Sequence, residues 1–153
     1  MAKRCPSSNL LGLAKLDKWL WIISQRHYAN IVASPDDHVY GLVFELTPED
    51  EAELDVYEGV PTAYVKRYME VEMVQKVGKP EPQNTEMVEA LIYIDFERTG
   101  ESWPYPEYIG RMNKGIDDSM KLGLPASYVE KYIRKFIPAQ GPPSNDPIQV
   151  SEA

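Results

Sequence analysis

Residues 54–60 read Leu-Asp-Val-Tyr-Glu-Gly-Val, and they complete a helix whose beginning is marked just upstream. Thr47 is a residue type favoured at the N-cap, Pro48 suits the first helical position, and acidic residues fill the first turn. Gly59 suits the position just after a helix ends. The pattern predicts a short helix that starts at Pro48 and carries Glu58 in its last turn.

The placement of Glu58 at a helix C-terminus has a chemical consequence. The negative end of the helix dipole disfavours a carboxylate there, and partial burial would add to that effect. Both raise the pKa of a glutamate towards neutrality, which suits general acid and base catalysis. The alternative is an exposed acid in the last turn before a glycine cap, and the residues alone favour that alternative.

Strand-like segments flank this helix on both sides. They are rich in β-branched and aromatic residues and are bounded by turn residues. Four precede the helix and two follow it, at residues 10–16, 19–23, 28–32, 38–46, 65–74 and 87–96. Strands this short and numerous predict an α+β fold, a small mixed β-barrel of about six strands with flanking helices.

Two more helices are predicted after the last strand. The first has apolar residues at close to helical spacing, namely Ile109, Met112, Ile116 and Met120, and ends at Gly123. Pro125 opens the second, whose apolar face holds Val129, Tyr132, Ile133 and Phe136. From Pro138 onward Gly, Pro and Ser dominate. The length of 153 residues suits one domain, predicted over 1–137 with a disordered tail over 138–153.

The charge and cysteine content limit the classes of function. The net charge is −8, which argues against general nucleic-acid binding. Residues 1–33 hold five Lys and Arg against one acid, which would favour a small anionic substrate or simply keep a surface hydrated. No apolar run approaches the roughly 20 residues of a membrane span. One cysteine permits no internal disulfide, and we expect a cytoplasmic protein.

The motif at 54–60 resembles the Leu-Asp-x-x-Glu-Gly signature of the γ-glutamylcyclotransferase family. Other segments resemble the family in the same order along the chain: a helix at 2–6, two strands at 10–24, a strand, turn, strand and helix start at 28–50, and a Pro-x-x-Tyr helix followed by Gly-Leu-Pro-x-x-Tyr at 104–133. The resemblance spans about residues 2–137, and its specificity comes from the ordered set.

The resemblance implies an activity and two site residues. In the family the α-amine of a γ-glutamyl amino acid attacks its own γ-carbonyl, which releases 5-oxoproline. Glu58 would be the proton shuttle, and the hydroxyl of Tyr108 would reach the substrate, unless Tyr108 is a core tyrosine that opens its helix. Because the nucleophile belongs to the substrate, no metal or cofactor is implied. The partner would be a small γ-glutamyl compound of glutathione-linked metabolism.

The sequence departs from the family at its beginning. Family members start with a strand that runs into Tyr-Gly-Ser-Asn-Leu, whose backbone N–H groups hold the anionic end of the γ-glutamyl group. Ser8-Asn9-Leu10 resembles this motif only superficially. Met1 is interpreted as an internal methionine, or as the start of a truncated gene model or a shortened isoform. The expected consequences are a missing anion cradle, a missing strand with exposed edges, weak or absent turnover and reduced stability.

The sequence also bears on other chemistries and functions. His27, His38 and Cys5 share no metal-ligand spacing, which argues against a zinc site. Trp103 and Tyr105 precede Tyr108 and suit the rim of a pocket. Two alternatives to the cyclotransferase stay open: a non-catalytic interaction module with a vestigial pocket, and a cyclotransferase of γ-glutamylamines. The sequence gives no indication of the oligomeric state.

Overall fold

The computed structural model describes residues 9–79 and 86–139, which form four strands and three helices. The strands are β1 (Asn9–Ile23), β2 (Ala29–Glu45), β3 (Val65–Lys76) and β4 (Glu86–Ile94). Helix α1 (Pro48–Tyr57) lies between β2 and β3. Helices α2 (Pro106–Lys121) and α3 (Ala126–Tyr128) follow β4, and α3 continues as a π-helical segment over Val129–Ile133. The predicted α+β class is therefore confirmed.

The four strands form one antiparallel sheet in the order β2-β1-β3-β4. It consists of two hairpins, β1–β2 and β3–β4, joined along a short contact from Gly12↔Lys76 to Lys15↔Glu72. In the described residues β2 and β4 are the edges of the sheet, which is open. Among the described residues the sheet has four antiparallel strands rather than about six, and the predicted mixed barrel is not confirmed.

The strand number was wrong because two predicted breaks lie inside continuous strands. Polar residues at Asp17 and Lys18, and a proline with two acids after Ser34, are typical of turns. In the structure Asp17 pairs with His38 and Trp19 pairs with Ala33. The two predicted breaks therefore lie opposite each other, at one irregularity in a continuous β1–β2 ladder. Lys18 takes the positive φ of 73° that such a bulge requires. The strands bend there and continue.

The joint between the two hairpins depends on a glycine. A Cβ added at Gly12 would lie 2.1 Å from the carbonyl oxygen of Gln75, which is far inside van der Waals contact. The ladder between β1 and β3 also shifts register next to this position, between Leu13 and Ala14. Only a residue without a side chain permits this close approach of two backbones.

The core lies between the sheet and the C-terminal helices. Its most buried side chains include Leu13, Ile22, Ile23, Ile94 and Ile137. The predicted face at Val129, Tyr132, Ile133 and Phe136 is buried, and Trp21 of β1 packs edge-on against Phe136 with ring centroids 5.8 Å apart. On α2, Ile116 is buried as predicted, whereas Met120 is exposed because it lies at the edge of the packed face.

Several predictions fall on residues that the structure does not describe. They are the helix-like segment at 2–6 with Cys5 and the tail from residue 140 onward. The division into a domain over 1–137 and a tail over 138–153 stays a prediction. Among the described residues, no helix is both long enough and apolar enough to cross a membrane.

Candidate functional site

Helix α1 begins as the sequence predicts. The Thr47 hydroxyl accepts a hydrogen bond from the backbone N–H of Asp50 at 3.1 Å, and the Asp50 carboxylate accepts one from the backbone N–H of Thr47 at 3.3 Å. This reciprocal pair satisfies two helix-terminal groups at once. Pro48 takes the first helical position, and the first turn is acidic. The predicted N-terminus is confirmed.

The end of α1 fixes the backbone of Glu58. Tyr57 is the last helical residue, and Glu58 is the C-cap, whose N–H donates to the carbonyl of Leu54 at 2.8 Å. Gly59 follows with φ +64°, the left-handed conformation that often ends a helix. Its carbonyl accepts a hydrogen bond from the N–H of Ala63 at 2.7 Å, which tightens the turn into β3. The predicted stop is confirmed.

Substitution of Gly59 by alanine is expected to destabilise the fold by about 1–2 kcal/mol, because an L-residue is strained at this positive φ. Its new Cβ would also lie 3.0 Å from the Cβ of Ala63. Gly78→Ala is the matched control, since Gly78 has φ +72° but nothing within 4 Å of an added Cβ. Urea unfolding should rank Gly59→Ala below Gly78→Ala, and a Gly59→Ala variant as stable as wild type would contradict this account.

A polar network holds α1 against the second hairpin. Asp55 accepts hydrogen bonds from the Tyr93 hydroxyl at 2.7 Å and from Lys66 Nζ at 3.0 Å, and Lys66 also pairs with Glu51. The Tyr93 hydrogen bond, joined by those from Lys66, holds the pKa of Asp55 below its usual value, although burial opposes this. Asp55, which belongs to the 54–60 motif, therefore anchors the helix that carries Glu58.

A cavity of about 820 Å³ lies beside Glu58. Apolar side chains from all four strands dominate its lining, among them Ala14, Leu16, Ile31, Leu42, Met73 and Ile92. The volume lies in the range of small-molecule sites. Glu58 is partly buried and borders the cavity together with Tyr93. Since an apolar lining gives no hydrogen bonds to a charged molecule, the polar border is where such a molecule would be held.

Tyr64 links the turn after α1 to the first hairpin. It is 8% exposed, and its hydroxyl donates to the carbonyl of Ala29 at 2.9 Å. Burial, followed by the charges of Glu58 and Tyr108, raises its pKa to about 12, whereas Arg26 acts in the opposite direction. Asp95 also acts on it, so Tyr64 lies within electrostatic reach of four side chains that come from four different parts of the chain.

Tyr108 lies in the first turn of α2 within a group of aromatic rings. Its ring meets that of Tyr28 edge-on at 5.2 Å, and Tyr28 meets Tyr105 at 5.3 Å. The guanidinium of Arg111 lies 5.0 Å from the Tyr108 ring centroid. Tyr108 is partly buried rather than fully packed in the core. The charges of Glu58 and Tyr108 both act on Tyr64, whereas of these three residues only Glu58 lines the cavity.

His27 and Trp103 extend this group of aromatic rings beyond Tyr105, and a role for Trp103 and Tyr105 at the rim of a pocket stays a prediction. His27 Nδ1 donates to the carbonyl of Trp103 at 2.8 Å, and its ring lies 4.7 Å from that of Tyr105. Trp103 is 71% exposed and Tyr105 is 45% exposed. His38 belongs to a separate cluster with Tyr40 and two tyrosines of the C-terminal helix. Among the described residues, no group of three or more His, Cys, Asp or Glu is placed to hold a metal ion.

Sequence reasoning missed three polar residues of this region: Arg26, Tyr64 and Asp95. Asp95 has its side chain 1% exposed, and it accepts hydrogen bonds from Arg98 Nη1 at 2.9 Å and from two backbone N–H groups. These bonds outweigh burial and hold the pKa of Asp95 below its usual value. No local spacing in the sequence predicts such contacts. Only Tyr64 had a usable signal, which is its position soon after the Glu-Gly turn.

Comparisons with known proteins agree with this fold. The model of a family described as "Gamma-glutamyl cyclotransferase, AIG2-like" matches residues 3–108. The crystal structure of an uncharacterized protein from Homo sapiens is similar, with a TM-score of 0.68 and 23% identity over 85% of this chain and 76% of that one. A structure described as a gamma-glutamyl cyclotransferase gives the same values. No curated protein matches the sequence.

Proposed function

Because the chain belongs to the AIG2-like gamma-glutamyl cyclotransferase family, we propose that it releases 5-oxoproline from γ-glutamyl amino acids, with Glu58 as general acid and base. The activity would be that of a lyase in glutathione-linked metabolism, and a cytoplasmic location belongs to the same proposal. The observation that carries it is the position of Glu58: partly buried, at the border of the cavity and within electrostatic reach of Tyr64.

The proposed reaction needs proton transfer at two nitrogens. The α-ammonium of the substrate gives a proton to the Glu58 carboxylate, and the resulting amine attacks the γ-carbonyl carbon. The new C–N bond closes a five-membered ring and leaves a tetrahedral intermediate. When the intermediate collapses, the bond to the leaving nitrogen breaks and Glu58 supplies a proton to that nitrogen. After ring closure the attacking nitrogen still carries two hydrogens, and it gives up one of them as the intermediate collapses, so that the neutral lactam forms. This second proton also passes to the leaving amine, which departs as an ammonium group, and Glu58 ends in its starting, deprotonated state.

The protein's other contribution is to hold a flexible substrate in ring-closing geometry. Such positioning accounts for a large part of the rate of intramolecular reactions. We propose that the Tyr108 hydroxyl contacts the substrate, which its place beside Tyr28 at the start of α2 supports. Because the nucleophile is the substrate's own amine, the reaction as written requires no metal or cofactor.

The test is an assay of the chain with γ-glutamylalanine. We expect release of 5-oxoproline together with an equal amount of alanine, both measured by chromatography. A substrate panel that includes ε-(γ-glutamyl)lysine separates the proposed activity from cyclisation of γ-glutamylamines. A rate equal to that without protein, for every member of the panel, would contradict the enzymatic proposal.

A non-catalytic interaction module is the second candidate. One observation favours it: apolar side chains dominate the lining of the cavity, and they offer few hydrogen bonds to a charged substrate. This candidate predicts that γ-glutamylalanine neither reacts nor binds. Detectable binding by calorimetry would count against a vestigial pocket even if turnover were slow.

A further inference from the structure

The tight turn between β1 and β2 is held by its own hydrogen bonds. The N–H of Ser24 donates to the carbonyl of Tyr28 at 3.0 Å, and the N–H of His27 donates to the carbonyl of Ser24 at 2.8 Å. The N–H of Arg26 donates to the Ser24 hydroxyl at 3.2 Å, and Ser24 is fully buried. The backbone that carries Arg26 is therefore fixed.

Two contacts join this turn to the proposed site. The Tyr28 ring packs edge-on against Tyr108, and the Ala29 carbonyl accepts the hydrogen bond from the Tyr64 hydroxyl. Tyr64 follows Glu58 by six residues across the turn at Gly59, so the β1–β2 turn contacts Tyr108 and the segment that follows Glu58. The effect of the Arg26 charge on the pKa of Tyr64 agrees with this placement.

Arg26 differs from the other partly buried cations of this region. Lys66 and Arg98 each have a carboxylate within 3.0 Å. Arg26 is also partly buried, yet among the residues that the structure describes no carboxylate lies within the 4.0 Å of an ion pair. A cation that is partly withdrawn from water gains most from an anionic partner, and a guanidinium suits a carboxylate.

The neighbours of Arg26 indicate which end of a substrate it faces. The next residue, His27, contacts the exposed rings of Trp103 and Tyr105, and we take this exposed side of the aromatic group to be the outer rim of the proposed site. The glutamyl part of a substrate must lie within reach of Glu58, so the leaving group is the part that extends towards this rim. Aromatic rings there would contact a leaving group's side chain while a cation beside them held its charge.

We propose that Arg26 is a specificity-determining residue that pairs with the carboxylate of the leaving amino acid. This inference rests on the proposed function. The substrate class is then γ-glutamyl amino acids, whose leaving group carries a carboxylate next to the scissile bond. A γ-glutamylamine lacks this carboxylate and gains nothing from Arg26.

The experiment compares two substrates that differ mainly in that carboxylate, γ-glutamylalanine and γ-glutamylethylamide. Arg26→Gln is expected to lower kcat/KM for γ-glutamylalanine by about 10- to 100-fold, the usual loss when a charge-assisted hydrogen bond is removed. For γ-glutamylethylamide the change should stay within about 2-fold. Arg67→Gln is the matched control, because it removes an exposed arginine of β3 whose guanidinium lies over the ring of Phe96. Thermal unfolding verifies that both variants fold.

Two results would overturn the assignment. Equal losses for both substrates would place Arg26 at the glutamyl end or in the fold, and no loss for either would remove it from the site. Binding of the same two compounds to Glu58→Gln, with and without Arg26→Gln, is measured by calorimetry. If wild type turned over neither substrate, the proposed function would fail, and a binding preference for γ-glutamylalanine that vanished with Arg26→Gln would still support the carboxylate site. The absence of such a preference would overturn it.

Discussion

Glu58→Gln is expected to lower the rate of 5-oxoproline release by about 10²–10⁴-fold, which is the usual contribution of a positioned acid or base. Glutamine has nearly the same shape as glutamate but cannot take up a proton from the α-ammonium group. The backbone of Glu58 is held by the C-cap hydrogen bond to Leu54, so the exchange should leave α1 in place. The measurement is 5-oxoproline release at saturating γ-glutamylalanine.

Glu53→Gln is the matched control for that experiment. Glu53 is an exposed acid on the same helix, so its exchange removes an equal charge from α1 without touching the cavity border. We expect its rate to stay within about 2-fold of wild type, as is usual for a surface substitution. Equal activity of Glu58→Gln and wild type, with both variants folded, would exclude Glu58 as the proton shuttle.

The largest loss of stability is expected from Asp95→Ala, about 3–5 kcal/mol. The substitution removes a carboxylate that is 1% exposed and leaves Arg98 Nη1 and two backbone N–H groups without their acceptor. Asn30 is tied to the same place, since its side chain donates to the Asp95 carbonyl at 2.8 Å and accepts from the Asp95 N–H at 3.0 Å. Urea unfolding at neutral pH measures the loss.

Glu97→Ala is the control for Asp95→Ala. Glu97 also lies near Arg98, at 3.8 Å, but its side chain is 79% exposed, so its loss should change the free energy of unfolding very little. The pH dependence gives a second criterion. Because the pKa of Asp95 is lowered in the folded state, its stabilising effect is complete above the ordinary value near 4 and is lost as the pH falls through the lowered value. Wild type should therefore lose more stability in acid than Asp95→Ala does.

The features of this fold that depend on residues close together in the sequence could be predicted from the sequence. The N-cap at Thr47, the stop at Gly59 and the apolar face of the last helix were all predicted, because caps and periodicity are local signals. They were enough to place Glu58 at the end of a helix. The roles proposed for Glu58 and Tyr108 came from resemblance to a family, and they stay predictions.

The parts that depend on distant residues did not follow from the sequence. The polar turn at Asp17 is bridged by pairing with His38, which no local pattern announces, and so the strand number was wrong. The hydrogen bond between Tyr64 and Ala29 spans 35 residues, and those between Asn30 and Asp95 span 65. Arg26 is notable only because no described carboxylate pairs with it, and that cannot be known before its neighbours are placed.

The short contact between the two hairpins has a consequence for how the protein folds. Each hairpin closes on itself through nearby residues and can form early, because little chain entropy is lost. This contact pairs Gly12 with Lys76, and the chain between these two residues includes α1 and Glu58. Such long-range closure slows folding. We therefore expect docking of two preformed hairpins to be the slow step, and the neighbourhood of Glu58 to be assembled only when it is complete.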